Sequence, residues 1–352
     1  MSLDKAVAPL LSALTKLHTA QRHLHPIHLE QVKLEIDDVR SPLKQAYKNF
    51  PETGDDIKAG IRISMGLVLK AMAAFEEVPS DPEGIFHAYR AFRYMPYALE
   101  NLYPANTVSP AINLFFLEGF RHNDAKILEG LKDRGPDTGI KHFNNERGSK
   151  GGYSLYVPEF YDAAKQYPVV VALHGGSGHG RGFLWTWLKE ARSRELILIS
   201  PTARGATWAL MDPTIDSDNL CTILETVRAR WSIDENRLLM TGMSDGGTFT
   251  YVSGLQSSSP FTHLAPISAS FHPMMLELID APNIVGRPIY VTHGTNDWMF
   301  DIEVARMARE TLGGRGADVV FREIADLAHT YPREENPRIL DWFTNDRSRR
   351  HT

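Results

Sequence analysis

The chain has 352 residues, of which 43% are hydrophobic and 23% are charged. This composition is typical of a soluble globular protein and gives no support to a collagen-like, disordered or coiled-coil chain. The formal net charge of −5 is too close to balance to predict a surface for nucleic acid or anionic lipid. We therefore expect no nucleic-acid partner.

Cys221 is the only cysteine, which excludes an intramolecular disulfide and any multi-cysteine zinc site. A chain without disulfides suits a reducing compartment, and we expect it in the cytoplasm. The apolar stretch from Ala6 to Leu17 is interrupted by Pro9 and Lys16, and Asp4 precedes it where a secretory leader would be basic. We predict neither a signal peptide nor a membrane span.

Apolar residues recur at helical spacing through the first 135 residues. The pattern is clearest in three runs: Leu10, Leu11, Leu14 and Leu17; Ile61, Met65, Val68, Leu69 and Met72; and Ile112, Phe115, Phe116 and Phe120. We predict a helical domain over residues 1–135 that either covers a site or joins the subunits of a homo-oligomer. This region also contains a group of four histidines: His18, His23, His25 and His28. No nearby acid or cysteine completes a recognisable ligand set with them, so we predict no metal site. Pro26 interrupts the helical spacing, so we predict an interhelical turn there.

A stretch from Lys132 to Gly152 is rich in glycine and charge, and we predict that it is a linker. After it, short β-branched runs alternate with amphipathic segments, which is typical of a parallel sheet covered by helices. We therefore predict an α/β domain over residues 136–352. Its strand candidates are Pro168–Leu173, Leu196–Ile199, Leu238–Thr241, Pro288–Thr292 and Val319–Ile324.

The strongest local signal is Gly242-Met243-Ser244-Asp245-Gly246-Gly247, between the strand candidate Arg237–Thr241 and the helix candidate Thr248–Leu255. A nucleophilic serine needs a sharp turn from strand to helix, because the turn lifts its hydroxyl clear of the sheet. Glycines on both sides relieve the crowding that larger side chains would create. Small residues also cluster in ordinary turns, so this pattern predicts a nucleophile at Ser244 only together with further motifs.

The segment His174-Gly175-Gly176-Ser177-Gly178 follows a strongly apolar strand candidate. Backbone N–H groups of such a turn stabilise the oxygen that becomes negative during acyl transfer, together with the N–H of the residue after the nucleophile. We predict this pair of donors at Gly176 and Asp245. The alternative is a nucleotide phosphate loop, but the segment lacks both a Gly-Lys-Ser/Thr sequence and a third glycine at dinucleotide-site spacing.

Two later segments each supply one further side chain after a predicted strand: Asp297 follows His293-Gly294, and His329 follows the next strand candidate. A neutral imidazole at His329 would take the proton from Ser244 and return it to the leaving group, while Asp297 would fix its tautomer. Asp301 is the alternative acid, although it also suits a helix cap. The alternative bases are His174, His263, His272 and His293; of these we assign His174 and His293 to loop packing and hydrogen bonding.

On these motifs the sequence resembles the α/β-hydrolase superfamily from about Gly152 to the C-terminus. It is most similar to the serine esterases grouped with polyhydroxybutyrate depolymerases and feruloyl esterases, and less similar to peptidases of the prolyl-oligopeptidase type. The resemblance implies an eight-stranded, mostly parallel sheet, with Ser244 as nucleophile and Asp297 and His329 as its partners. It also implies an oxyanion hole at the amides near Gly176 and Asp245. Secreted members carry leaders and disulfides, whereas this chain has a single cysteine and we predict no leader.

We therefore expect a cofactor-independent serine carboxylesterase that cleaves a small-molecule ester through an acyl-enzyme. A serine peptidase or amidase, and a non-catalytic scaffold of the same fold, are the alternatives. Gly175, Met243 and Trp298 are the expected substrate contacts, because they are next to the proposed catalytic positions. Other large side chains near the motifs are candidates for either a pocket or the core: Phe183, Trp185, Trp187, Trp208, Met211 and Met299.

Overall fold

A computed structural model describes residues 2–79, 83–124, 135–278 and 284–345. The chain divides into two compact units, residues 1–133 and 134–352. The predicted linker begins outside the described residues, and from Gly139 onward the prediction is wrong because this segment is part of the second unit's sheet. Its glycines serve tight backbone turns instead: Gly139, Gly148 and Gly151 have φ values of 76°, 87° and 73°.

The first unit is helical, as the apolar spacing predicts. Its helices are α1 (Leu3–Arg22), α2 (Leu29–Asn49), α3 (Asp56–Glu76), α4 (Gly84–Phe92), α5 (Tyr94–Leu102) and α6 (Pro110–Phe115). A short 3-10 turn at Pro26–His28 separates α1 from α2, where the histidine cluster lies. Phe120 departs from the predicted pattern, because α6 ends at Phe115 and leaves the Phe120 side chain 64% exposed.

Helix ends in this unit follow from short polar side chains that satisfy free backbone donors. The Asp55 carboxylate accepts a hydrogen bond from the Lys58 N–H at the start of α3. The Ser109 hydroxyl accepts from the Ile112 N–H at the start of α6, where Pro110 occupies the first helical position. In the part of the chain that the structure describes, no helix combines the length and apolar character needed to cross a bilayer.

The second unit contains one eight-stranded sheet in the order β1-β2-β4-β3-β5-β6-β7-β8. The two strands at one edge pair antiparallel and the other six run parallel, which confirms the expected mostly parallel sheet. The strands are β1 (Gly139–Phe143), β2 (Tyr153–Val157), β3 (Tyr167–Leu173), β4 (Ile197–Pro201), β5 (Ile233–Met243), β6 (His263–Ile267), β7 (Pro288–Gly294) and β8 (Asp318–Ile324). The flanking helices are α7 (Gly180–Ser193), α8 (Thr214–Arg228), α9 (Asp245–Gly254), α10 (Ile302–Gly314) and α11 (Asn336–Asn345).

Continuous burial of the central strands explains why their sequences are uninterrupted apolar runs. Val169, Val171, Leu239 and Met240 are almost fully enclosed, as expected for parallel strands that are covered on both faces. Parallel strands have their carboxyl ends on the same side of a sheet. The loops after β3, β5, β7 and β8 therefore come together at the carboxyl ends of the strands. These loops contain the motifs that the sequence singles out.

A buried ion pair ties α7 to the segment after β2. Arg192 Nε donates to Glu159 Oε1 at 3.0 Å, and the two side chains are only 2% and 3% exposed. The Tyr156 hydroxyl donates to the second carboxylate oxygen at 2.5 Å. A charge enclosed in this way depends on its partner, because losing one member leaves the other desolvated.

Glu159→Gln therefore tests the ion pair. Removing the negative charge that Arg192 faces should lower the free energy of unfolding by roughly 3 kcal/mol. Glu235→Gln is the matched control, since Glu235 pairs with Arg228 on the surface; its effect should stay within about 1 kcal/mol. Urea denaturation measures both, and equal effects would contradict the assignment.

Candidate active site

Ser244 occupies the turn between β5 and α9 and has φ 56° and ψ −119°. A positive φ is unfavourable for a residue with a side chain and persists only when the surroundings hold it. Here the Ser244 N–H donates to the Ile267 carbonyl at 3.0 Å, and its carbonyl accepts from the Thr248 N–H at 2.8 Å. Helix α9 begins directly after the turn, three residues before the predicted start at Thr248.

The glycines around Ser244 are required by close backbone packing. A Cβ at Gly246 would lie 2.5 Å from the His174 carbonyl oxygen, and one at Gly242 would lie 2.5 Å from the Gly246 backbone. A Cβ at Gly247 would lie 2.9 Å from the Ala269 Cβ. Strand β5, the serine turn and the backbone of Leu173 and His174 therefore approach each other more closely than any side chain allows.

The structure brings Ser244, His329 and Asp297 together into one hydrogen-bonded row. His329 Nε2 lies 3.1 Å from Ser244 Oγ, and His329 Nδ1 lies 2.9 and 3.0 Å from the two Asp297 carboxylate oxygens. All three side chains are buried. Because an ionised carboxylate can only accept, Nδ1 carries a ring proton, and Nε2 faces the serine hydroxyl.

Asp297 is held as an anion by several donors. Its Oδ1 atom also accepts from the N–H groups of Met299 and Phe300, at 3.0 and 2.9 Å. Burial raises the pKa of Asp297, but the hydrogen bonds from His329 and from the Phe300 N–H lower it more, so the pKa lies below its ordinary value. The carboxylate therefore stays charged at neutral pH.

Asp301, the alternative acid, caps α10 instead, because its carboxylate accepts from the Glu303 N–H at 2.9 Å. Among the alternative bases, His263 begins β6, at the opposite end of that strand from Ile267, and packs on Trp342 and Phe343. His272 is exposed, and its Nδ1 accepts from the Met274 N–H. His174 is a hydrogen-bonded loop residue, as assigned from the sequence. His293 lies within β7, not in a loop, and its Nε2 is hydrogen-bonded to the Phe300 carbonyl.

Two half-buried aromatic rings shield the imidazole. The Trp298 and Phe300 rings meet His329 edge to face, with centroids 6.2 and 5.3 Å from it. They reduce solvent access around the Asp297–His329 hydrogen bond, which strengthens it electrostatically.

The glycine loop after β3 lies against Ser244 and Asp245. A Cβ at Gly175 would lie 3.5 Å from the Ser244 Cβ, and one at Gly176 would lie 2.9 Å from Asp245 Oδ2. The Asp245 N–H is the first of α9 and has no acceptor within the helix. The positive end of the helix dipole is at this point, which favours a negative oxygen. Gly175, Gly176 and Asp245 are therefore adjacent, as the sequence predicts.

The His174 side chain holds the glycine loop in place. The sequence predicts only loop packing and hydrogen bonding for this residue. Its Nδ1 donates to the Gly175 carbonyl at 2.7 Å, and its Nε2 accepts from the Ala203 N–H at 3.2 Å. Burial lowers the pKa of His174 to about 4. The ring is therefore neutral, and it joins the glycine loop to the segment after β4.

Sequence reasoning missed the part played by the segment after β4. The Thr207 hydroxyl donates to Asp245 Oδ2 at 2.6 Å, and Trp208 Nε1 donates to the His174 carbonyl at 2.7 Å. Two further N–H groups of this segment, of Arg204 and Ala209, donate to the buried Asp216 carboxylate. The sequence marks Trp208 only as a pocket or core candidate, and it does not mark Thr207, because the contacts of these two residues span 34 and 38 residues of the chain.

The candidate pocket residues separate into three groups. Met243 and Trp298 are half-buried beside the row of hydrogen bonds, where the sequence places them. Trp185, Trp187 and Trp208 are core residues. Met211 is 95% exposed. Among the described residues, no group of three or more His, Cys, Asp or Glu side chains is arranged to hold a metal ion.

Comparison with known proteins gives a family match over most of the second unit. The sequence profile described as the dienelactone hydrolase family matches residues 138–350. The bifunctional acetylxylan esterase/xylanase XynS20E of Neocallimastix patriciarum is 26% identical over 223 residues, which are 59% of this chain and 30% of that protein. A probable feruloyl esterase C of Aspergillus terreus is 28% identical over 195 residues, which are 52% of this chain and 67% of that protein.

Among solved structures, a thermostable esterase is 22% identical, with a TM-score of 0.47 over 58% of this chain and 62% of its own. Of the acetylxylan esterase/xylanase named above, the chain spans less than a third of the length.

Gly246→Ala tests the close packing at the serine turn. The added Cβ meets backbone atoms that cannot move aside, so the free energy of unfolding should fall by roughly 3 kcal/mol. Gly313→Ala is the control: Gly313 lies in α10 with no atom within 4 Å of its Cβ position, and alanine there should stabilise by about 0.5–1 kcal/mol. Chemical denaturation that ranks the two variants the other way would contradict the packing argument.

The neutral His174 predicts a pH dependence of stability. Its pKa is about 4 in the folded chain and 6.5 for the free side chain, so on acidification the unfolded chain takes up the proton first. The contribution of His174 is complete above pH 6.5 and is lost as the pH falls towards 4, by about 3 kcal/mol. Urea denaturation across this range should show the loss in the wild type, and His174→Gln should lack it. Parallel pH profiles would refute the prediction.

Proposed function

Because the chain belongs to the dienelactone hydrolase family of the α/β-hydrolase superfamily, we propose that it is a serine carboxylic-ester hydrolase. One observation carries the proposal: His329 bridges Ser244 Oγ and the Asp297 carboxylate through its two ring nitrogens. This is the arrangement that a serine needs to act as a nucleophile at neutral pH. Both relatives named above are esterases by name, which favours an ester over an amide substrate.

In the first half of the proposed reaction, Ser244 Oγ attacks the ester carbonyl carbon as its proton passes to His329 Nε2. Asp297 stabilises the imidazolium that forms. The carbonyl oxygen becomes negative and accepts hydrogen bonds from the Gly176 and Asp245 amides. His329 then gives the proton to the departing alcohol oxygen, and the acyl group remains on Ser244.

In the second half, a water molecule attacks the acyl-enzyme while His329 takes one of its protons. The carbonyl oxygen again becomes negative against the same two amides. Collapse of this intermediate releases the carboxylic acid, and His329 returns the proton to Ser244. His329 makes every proton transfer, so the sequence of steps calls for no cofactor.

We propose Gly175, Met243 and Trp298 as substrate contacts, since they surround the reacting hydroxyl and imidazole. The substrate is a small-molecule ester. We also propose a cytoplasmic location, because the chain contains a single cysteine. For the helical unit, the two roles predicted from the sequence remain alternatives: it covers the site or it joins subunits.

Ser244→Ala removes the proposed nucleophile. Turnover of a short-chain aryl ester should fall at least about a thousandfold, since the members of a triad act as a unit. Ser257→Ala, at an exposed serine, should leave turnover unchanged. A fluorophosphonate probe should label the wild type at Ser244 and leave Ser244→Ala unlabelled.

Three results would contradict the proposal. Unchanged ester hydrolysis by purified Ser244→Ala would remove Ser244 from the mechanism. A wild type that is neither labelled nor active on esters would indicate a non-catalytic scaffold. Faster cleavage of a matched peptide anilide than of the aryl ester would identify an amidase instead.

A further inference from the structure

A second imidazole lies against the Asp297 carboxylate. His293, near the end of β7, is 1% exposed, and its Nε2 atom is 2.8 Å from the Phe300 carbonyl oxygen. The same nitrogen is 3.4 Å from Asp297 Oδ2. The acid therefore lies between two histidine rings, His329 on one side and His293 on the other.

The partners of His293 fix the position of its proton. A carbonyl oxygen only accepts, so Nε2 must carry the hydrogen and donate it to Phe300. Burial lowers the pKa of His293, which keeps the ring neutral. The N–H dipole that points at the carbonyl also has its positive end near Asp297 Oδ2. His293 thus places a partial positive charge near the carboxylate without adding a full charge.

This hydrogen bond completes a closed turn from Asp297 to Phe300. The Met299 and Phe300 N–H groups donate inward to Asp297 Oδ1, while the Phe300 carbonyl is held from the other side by His293. The backbone around Phe300 is therefore fixed on both sides. A carboxylate attached to this turn has little freedom to rotate away from His329.

We propose that His293 is a positioning residue for the reaction: its Nε2–H holds the Asp297–Phe300 turn and keeps the carboxylate in the orientation that accepts from His329 Nδ1. The inference rests on the proposed function. A histidine that only fills space in the core would have no effect on the reaction, whereas a positioning residue would. The neighbouring strand supplies a contrast, because His263 is equally buried but lies at the far end of β6 and packs on aromatic rings.

Three variants test the proposal. His293→Leu removes the donor, His293→Gln restores an N–H at about the same reach, and His263→Leu makes the same chemical change away from the site. His293→Leu should lose about 10- to 100-fold in kcat with KM within about twofold, because a small misplacement of a catalytic group is costly. His293→Gln should recover most of kcat, and His263→Leu should keep it.

A spectroscopic readout separates positioning from a general loss of stability. The proton between His329 Nδ1 and Asp297 should give a far-downfield proton NMR resonance in the wild type. This resonance should persist in His293→Gln and His263→Leu, and should be lost or shifted in folded His293→Leu. Where His293→Leu does not fold, His293→Asn replaces it, because its shorter amide cannot reach the Phe300 carbonyl.

Two outcomes would overturn the inference. One is wild-type kcat and an unchanged resonance in the variant that lacks the donor. The other is a loss of kcat that is no greater than in His263→Leu. Failure of the proposed function would look different, because the wild type itself would then lack ester turnover and fluorophosphonate labelling while the resonance still reported on the Asp297–His329 hydrogen bond.

Discussion

The candidate site depends on one imidazole whose two nitrogens face different partners. His329 Nδ1–H donates to a carboxylate and Nε2 accepts from a hydroxyl, and these partners are 32 and 85 residues away in sequence. Hydrogen bonds among three side chains would not offset the loss of chain entropy on closing such loops. Packing of the parallel strands offsets it and brings the loops after β5, β7 and β8 together at the carboxyl ends of the strands. The row of hydrogen bonds then only has to select orientations among groups that are already close.

The same logic explains the strained backbone at Ser244. A positive φ at a residue with a side chain costs of order 1–3 kcal/mol, and the surrounding contacts must outweigh it. These contacts come from close packing, because three glycines let β5, α9 and the backbone of Leu173 and His174 approach to distances at which a Cβ would overlap. The turn cannot relax without separating these elements. The hydroxyl is consequently held towards His329 before any substrate arrives, so that binding need not organise it.

The sequence predicts local geometry where a local pattern reflects a local constraint. The glycines around Ser244 mark a turn, and Asp297 and His329 follow apolar runs that end at one sheet edge. It fails where the constraint is distant. The segment containing β1 has the glycines and charges of a linker, yet its glycines supply positive φ values at turns and Asn145 within it is fully enclosed. Thr207 and Trp208 contact Asp245 and His174 only across 38 and 34 residues of the chain, which composition and periodicity do not reveal.

Three buried histidines around the site show why residue type alone does not define a role. His174 donates to one backbone group and accepts from another, so both nitrogens are committed and a proton could be added only by breaking a bond. His293 has its ring proton committed to a carbonyl. Of the three rings, only that of His329 contacts a group that can donate a proton to it, the Ser244 hydroxyl. The Asp297 carboxylate on its other nitrogen would stabilise the resulting positive charge. The proposed proton transfer is therefore assigned to His329 by the partners that the fold supplies, although all three side chains have the same chemistry in water.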